Sequence, residues 1–154
     1  MTVNQNKNSQ AENIRVKIKR FDKSLPLPKY QTKGAAALDL YSRQDGVIKP
    51  GAVKLVPLNI ALQLPPDYWV LMSARSSLYK KGLMLANGIG VGDYDYRGDS
   101  DEYQAALFNF TKQEVRIKKG ERLVQMIILP RRRVVLKELK FFETQDRGGF
   151  GSTG

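Results

Sequence analysis

Two aspartates and two tyrosines fall side by side at Asp93-Tyr94-Asp95-Tyr96, directly after Ala86-Asn87-Gly88-Ile89-Gly90-Val91-Gly92. Carboxylates supply general bases, and tyrosine rings supply flat stacking faces. Glycines at alternate positions let main chain come close to a planar ligand, because no Cβ intervenes. The same composition also fits a glycine-rich hairpin with a polar tip. Ser73-Ala74-Arg75-Ser76-Ser77-Leu78 sets a guanidinium beside hydroxyls, a combination that grips phosphate through charge-assisted, often bidentate hydrogen bonds. Ala35-Ala36-Ala37-Leu38-Asp39-Leu40 places one carboxylate in an apolar strand, so Asp39 must pair with an arginine or with backbone amides. Gln125 interrupts the apolar run after Glu121-Arg122 and needs partners in the same way, as core filling or as a ligand contact. Arg147-Gly-Gly-Phe150-Gly-Ser-Thr-Gly154 is not a Walker loop. A glycine-rich tail carrying an arginine and a ring can close as a lid over a charged, planar ligand.

Composition narrows the chemistry further. The chain lacks cysteine and histidine, which excludes disulfides, thiolate catalysis, imidazole zinc sites and serine-histidine triads. Catalysis must rest on carboxylates, lysine, tyrosine or an oxygen-held metal. The net charge of +11 favours polyanions: nucleic acid, membrane headgroups or phosphorylated substrates. Short clusters such as Lys17, Lys19, Arg20 and Arg131 to Arg133 also read as plain solvated faces. The longest apolar run, Leu123 to Pro130, is broken by Gln125 and is too short to span a bilayer, and the polar start lacks a secretory signal. A soluble, cytoplasmic protein with no membrane partner is expected.

These residues need elements to hold them. A chain of 154 residues suffices for one core. Ile14 to Lys19, Leu58 to Leu64 and Val115 to Lys118 alternate apolar and polar residues, the period of half-buried strands. Trp69 to Met72 and Leu123 to Leu129 read as strands buried on both faces. Turn signals stand at Lys49-Pro50-Gly51, Pro65-Pro66-Asp67 and Lys118-Lys119-Gly120, and only Ser76 to Lys81 suits a short helix. Many short strands with little helical period predict an all-β fold, a jelly-roll-like β-barrel. The expected layout is a disordered polar leader at 1–13, the barrel at 14–142 and a flexible arm at 143–154.

In this order, the five segments resemble the five motifs of the trimeric dUTPase family, over most of the chain from about Ala35 onward. The spacing of Asn87, Asp93 and Tyr96 and the terminal Gly-Phe-Gly-Ser-Thr-Gly carry the resemblance most sharply. It implies a homotrimer with sites at subunit interfaces, hydrolysing dUTP to dUMP and pyrophosphate. Asp93 then corresponds to the base that orients the attacking water, and Tyr96 to the ring that packs on deoxyribose and leaves no room for a 2′-hydroxyl. Asn87 and hairpin main chain around Val91 correspond to the uracil readers. Arg75, Ser76, Ser77 and Gln125 correspond to phosphate ligands. Arg147 is matched to the γ-phosphate, and Phe150, with Gly151 and Ser152, to the arm closing over uracil. Asp39 supports the site's geometry. Mg²⁺ is implied as cofactor, held chiefly by substrate phosphates and water rather than by protein ligands.

Three departures from the family pattern stand out. Gly92 replaces a branched aliphatic residue beside the base, which is expected to loosen packing there. Asp99 to Gln104 lengthens the link to the next strand and brings an acid cluster that could bulge outward or draw in a cation. Arg147 lies closer to Phe150 than in many relatives. A dCTP deaminase, of the same fold, needs a proton-shuttling carboxylic acid where Ala106 or a neighbour stands; Glu102, in the lengthened link, is the only nearby candidate. A regulatory or nucleic-acid-binding module is the other alternative, since the basic surface permits weak binding although the activity does not require it.

Overall fold

The computed structural model describes residues 13–149. The predicted leader, apart from Asn13, and the positions Phe150, Gly151 and Ser152 lie outside them. Eleven strands and one 3-10 turn make up the regular structure of the described residues, so the all-β expectation holds. In chain order these are β1 (Lys17–Arg20), β2 (Leu38–Tyr41), β3 (Gly46–Ile48), β4 (Val53–Pro57), β5 (Ile60–Gln63) and β6 (Tyr68–Ala74). The turn at Leu78–Lys81 follows, then β7 (Leu83–Leu85), β8 (Gly90–Gly92), β9 (Gln104–Asn109), β10 (Val115–Ile117) and β11 (Arg122–Pro130). Every pairing is antiparallel: β2-β11-β6-β8, β4-β9-β7, β1-β5 and β10-β3.

The core lies between these sheets and includes Leu40, Ile60, Val70, Leu83, Leu107, Val124 and Met126, each almost inaccessible to solvent. Strand pleating decides which residues reach it. Register places Leu38, Met126 and Met72 in one row, and Asp39, Gln125 and Ser73 in the next. Since successive side chains point to opposite faces, the first row enters the core and the second forms a polar stripe outside it. The turns at Lys49–Gly51 and Lys118–Gly120 form where the sequence predicts them, with both glycines in the left-handed region.

Three strand expectations need correction. The first strand begins at Lys17, not Ile14, and is largely solvated; Ile18 is exposed, and Val16 is the residue that packs on the core. Among the described residues it pairs only with β5, and its lysines suit an edge. The strand predicted from Leu58 starts at Ile60, because Asn59 adopts a positive φ of 70°. Its polar side chain is a clamp rather than a solvated position: Asn59 Nδ2 donates to the carbonyl of Asp22, and Asp22 N donates to Asn59 Oδ1. Finally, β6 and β11 bury one face in this chain and leave Leu71 and Ile127 on the other only half-buried.

Candidate active site

Asp93 stands at the end of β8, and close packing explains why that strand is written in alternating glycines. β8 pairs with β6 through Val70↔Gly92, Leu71↔Val91 and Met72↔Gly90, so both glycines face the core. A Cβ on Gly90 would lie 2.8 Å from the Met72 terminal methyl, and one on Gly92 would lie 2.6 Å from Tyr103 Oη. The loosened packing expected from Gly92 is therefore absent: the Tyr103 ring fills that volume. Beyond the strand, Asn87, Val91, Asp93 and Tyr96 come together with Leu55, Met72 and Tyr103 around a hollow of about 320 Å³. Asp95 and Tyr94 do not join them. Tyr94 lies beneath two guanidiniums, with Arg97 4.4 Å and Arg131 5.7 Å from its ring centroid, and its hydroxyl accepts from Arg97 Nη1.

The lengthened link after Gly98 forms the hollow's other wall. Its acids part ways rather than converge: Asp99 pairs with Lys19, Asp101 accepts from Gly98 N, and Glu102 turns inward. Glu102 accepts from Arg43 Nε at 2.8 Å and Nη2 at 3.0 Å, and from Asn59 N at 2.8 Å. A carboxylate committed to these donors serves as a clasp, which argues against its use as a deaminase's proton shuttle. Ala106, with no titratable group, pairs with Leu55 in the sheet. Glu102→Ala is expected to cost about 3 kcal/mol of stability, because it strands a half-buried guanidinium and a buried amide. Urea denaturation measures this, and a loss below about 0.5 kcal/mol would remove the clasp from the fold's support.

The clasp sets the aromatic floor. Tyr96 Oη donates to the carbonyl of Glu102 at 2.9 Å, and the Tyr96 and Tyr103 rings meet edge to face at 5.5 Å. Burial, then the nearby Asp101 and Glu102 charges, raises the Tyr96 pKa. Burial likewise pushes Tyr103 up to about 12, with Tyr96, Asp93 and Asp101 adding to it. Both phenols stay protonated at neutral pH. Since Tyr103 ionises near 10 when unfolded, its contribution to stability is complete below pH 10 and is lost as pH rises towards 12.

A second hollow, of about 370 Å³, is cationic and polar; Arg75, Ser77, Lys81, Glu121 and Arg122 line it. Asp39, 5% exposed, finds the arginine partnership its burial demanded, and finds it twice. Arg75 Nε donates to its Oδ1 and Arg122 Nη1 to its Oδ2, each at 3.0 Å. The strand order β2-β11-β6 brings these residues together, with Arg122 opening β11 and Arg75 directly following β6. Gln125, paired in register with Asp39, donates to the carbonyl of Ala74 at 3.2 Å and to Ser73 Oγ at 3.4 Å. Ser76 is exposed beside the hollow but does not line it. Arg147 is exposed on the segment after β11, away from both hollows' walls.

Among the residues lining the two hollows, Arg122, Lys81 and Tyr103 are polar side chains to which the sequence analysis gives no role. The signal for Arg122 was its place two residues after a turn glycine and next to the apolar run. For Tyr103 it was the missing side chain at position 92, whose volume had to come from elsewhere. Among the described residues no group of acids could cage a metal ion. A hard cation that keeps its waters and takes phosphate oxygens fits such a donor set.

Comparison with known proteins agrees with this geometry. The dUTPase family model matches residues 23–154. The chain is 43% identical over 149 residues to the deoxyuridine 5′-triphosphate nucleotidohydrolase of Caldanaerobacter subterraneus subsp. tengcongensis, covering 92% of this chain and 98% of the relative. It is 39% identical over 148 residues to that of a Thermoanaerobacter species, again covering 92% and 98%. The crystal structure of Streptococcus mutans dUTPase superposes with a TM-score of 0.70 at 31% identity, over 77% of this chain and 98% of that one. The Staphylococcus bacteriophage 80alpha dUTPase with dUpNHpp shares the fold, with a TM-score of 0.80 at 23% identity over 92% and 99%. A phage phi11 dUTPase structure, at 20% identity, a TM-score of 0.75 and covering 85% and 100%, is described as coordinating a structural Mg(II) ion. With five motifs in order, a sheet topology that seats the first four and relatives of this similarity, the chain belongs to the dUTPase family.

Proposed function

We propose that this chain hydrolyses dUTP to dUMP and pyrophosphate at sites assembled between the subunits of a homotrimer. The observation that carries the reading is the division of labour on one chain: an acidic, aromatic hollow around Asp93 and a separate cationic one around Arg75. Such halves complete each other when copies associate. Exposed apolar side chains on β4 and β7 and just after β9 (Val53, Leu55, Met84, Phe110) offer contact surface for that association. Acting on the nucleotide pool, the enzyme works in the cytoplasm.

In this reading Asp93 orients a water and takes its proton as the oxygen attacks the α-phosphorus in line. The bond from that phosphorus to the bridging oxygen breaks, and pyrophosphate leaves. Asp93 also meets the sugar 3′-hydroxyl, while the Tyr96 ring lies against deoxyribose and excludes a 2′-hydroxyl. Asn87 and the main chain at Val91 read the uracil edge; a buried polar group left unpaired by the wrong base makes such readout selective. Arg75, Ser76, Ser77 and Gln125 hold the phosphates, with Asp39 fixing the arginine. Arg147 takes the γ-phosphate, and Phe150, Gly151 and Ser152 close over the base from a neighbour's arm. When bound together with the substrate phosphates, Mg²⁺ would supply charge neutralisation at the leaving group.

Pyrophosphate release from dUTP, dCTP, dTTP and UTP, measured side by side, tests the reading. Turnover confined to dUTP is expected, and comparable turnover of dCTP or UTP contradicts it. Chelating magnesium should lower the dUTP rate at least about a hundredfold, with recovery on adding the ion back. A rate that ignores chelation removes the metal from the reaction.

A further inference from the structure

We propose that Tyr103 is a positioning residue that sets discrimination between dUTP and UTP, its ring standing in for the side chain that Gly92 lacks. The inference rests on the dUTP-hydrolysing reading above. Gly92 faces the core opposite Val70, and a Cβ there would meet Tyr103 Oη at 2.6 Å, Cε1 at 2.7 Å and Cζ at 3.0 Å. Real Cβ atoms do not approach that closely, so the ring and any side chain at position 92 are alternatives. The hairpin leading into Asp93 therefore rests on a residue from the lengthened link.

That residue is held firmly. Tyr103 N donates to the carbonyl of Ile60 and its own carbonyl accepts from Leu58 N, both at 2.9 Å. The residue before it is the Glu102 clasp on Arg43. The sugar-facing ring of Tyr96 leans on both: its hydroxyl donates to the Glu102 carbonyl, and its ring meets Tyr103 edge to face. Moving Tyr103 thus shifts the wall that excludes a 2′-hydroxyl and, through Gly92, the main chain that carries the base. The Tyr103 hydroxyl is buried and has no hydrogen-bond partner among the described residues. Ring volume, rather than a polar contact, carries the role.

The test compares kcat, KM and the ratio of kcat/KM for dUTP over UTP in the full-length wild type, Y103F, Y103V and the exchange Y103V/G92I. Tyr103→Phe should keep kcat and the ratio within about twofold and raise the melting temperature, because it removes an unpaired buried hydroxyl. Tyr103→Val should lower the ratio at least about tenfold and reduce kcat more than it raises KM. Adding Gly92→Ile, which returns volume from the opposite side, should restore the ratio to within about threefold of wild type. Should Y103V fail to fold, the milder Gly92→Ala takes its place, since its methyl must displace the ring, and the same fall in the ratio is expected.

An unchanged ratio in Y103V, or in G92A where that variant serves, overturns the inference. A Y103F that falls as far as Y103V also overturns it, because the hydroxyl then does the work. So does a double exchange no better than Y103V alone. A wild type inert towards dUTP strikes instead at the underlying function, which keeps the two failures apart.

Discussion

Replacing Asp93 with asparagine is expected to lower kcat about a thousandfold or more while leaving dUTP affinity within about threefold. The amide keeps the shape of the carboxylate and its reach towards a sugar hydroxyl, but it cannot accept a proton from water at neutral pH. Asp93 lies on the rim of the hollow that also holds Asn87 and Tyr96, at the end of a strand packed tightly through Gly90 and Gly92. The backbone that places it does not depend on its side chain, so the variant should fold with the wild-type melting temperature. Rapid-quench turnover paired with calorimetric binding of a non-hydrolysable dUTP analogue separates the two effects. A variant that retains more than about a tenth of wild-type kcat would transfer the base to another residue.

The second large effect is expected at Asp39. Two guanidiniums converge on its carboxylate from β11 and from the end of β6, and the group itself is almost fully buried. Asparagine there leaves Arg75 and Arg122 facing each other without their shared counter-charge. A loss of about 3 kcal/mol in stability follows from uncompensated, partly buried charge. Arg75 is also proposed to grip phosphate, and its displacement by even an ångström should lower kcat/KM roughly a hundredfold. Asp39→Asn thus combines a lower denaturation midpoint with a defect expressed mainly towards the triphosphate. A fall in stability alone, with kcat/KM unchanged, would limit Asp39 to a structural part.

The demand behind Asp39 was legible in sequence, because a charge inside an apolar strand needs a partner. The identity of the pair was not, since Arg75 and Arg122 meet only through the β2-β11-β6 order. Strand periods located most elements and failed where side chains took other duties. Asn59 reads as a solvated position in an alternating strand, yet it breaks that strand with a positive φ and clamps Asp22. Gly92 reads as a packing loss when it is taken alone, and the compensating ring sits beyond a loop whose path no local pattern encodes. Glu102 likewise reads as one member of an acid cluster, although the fold sends each acid of that link to a different partner. Half-buried residues on the outer faces of β6 and β11 carry the apolar signature of full burial because one chain exposes what association is proposed to cover.

The proposed sharing of sites within a homotrimer is tested most directly by co-expressing two inactive variants, Asp93→Asn and Arg75→Ala, with different affinity tags and purifying the assemblies that carry both. If each site draws its acid hollow from one chain and its phosphate grip from another, each mixed trimer keeps about one of its three sites intact. The mixed trimers should then recover dUTP turnover far above either parent. Mixed trimers no more active than the parents would place both halves on one chain and contradict the shared site.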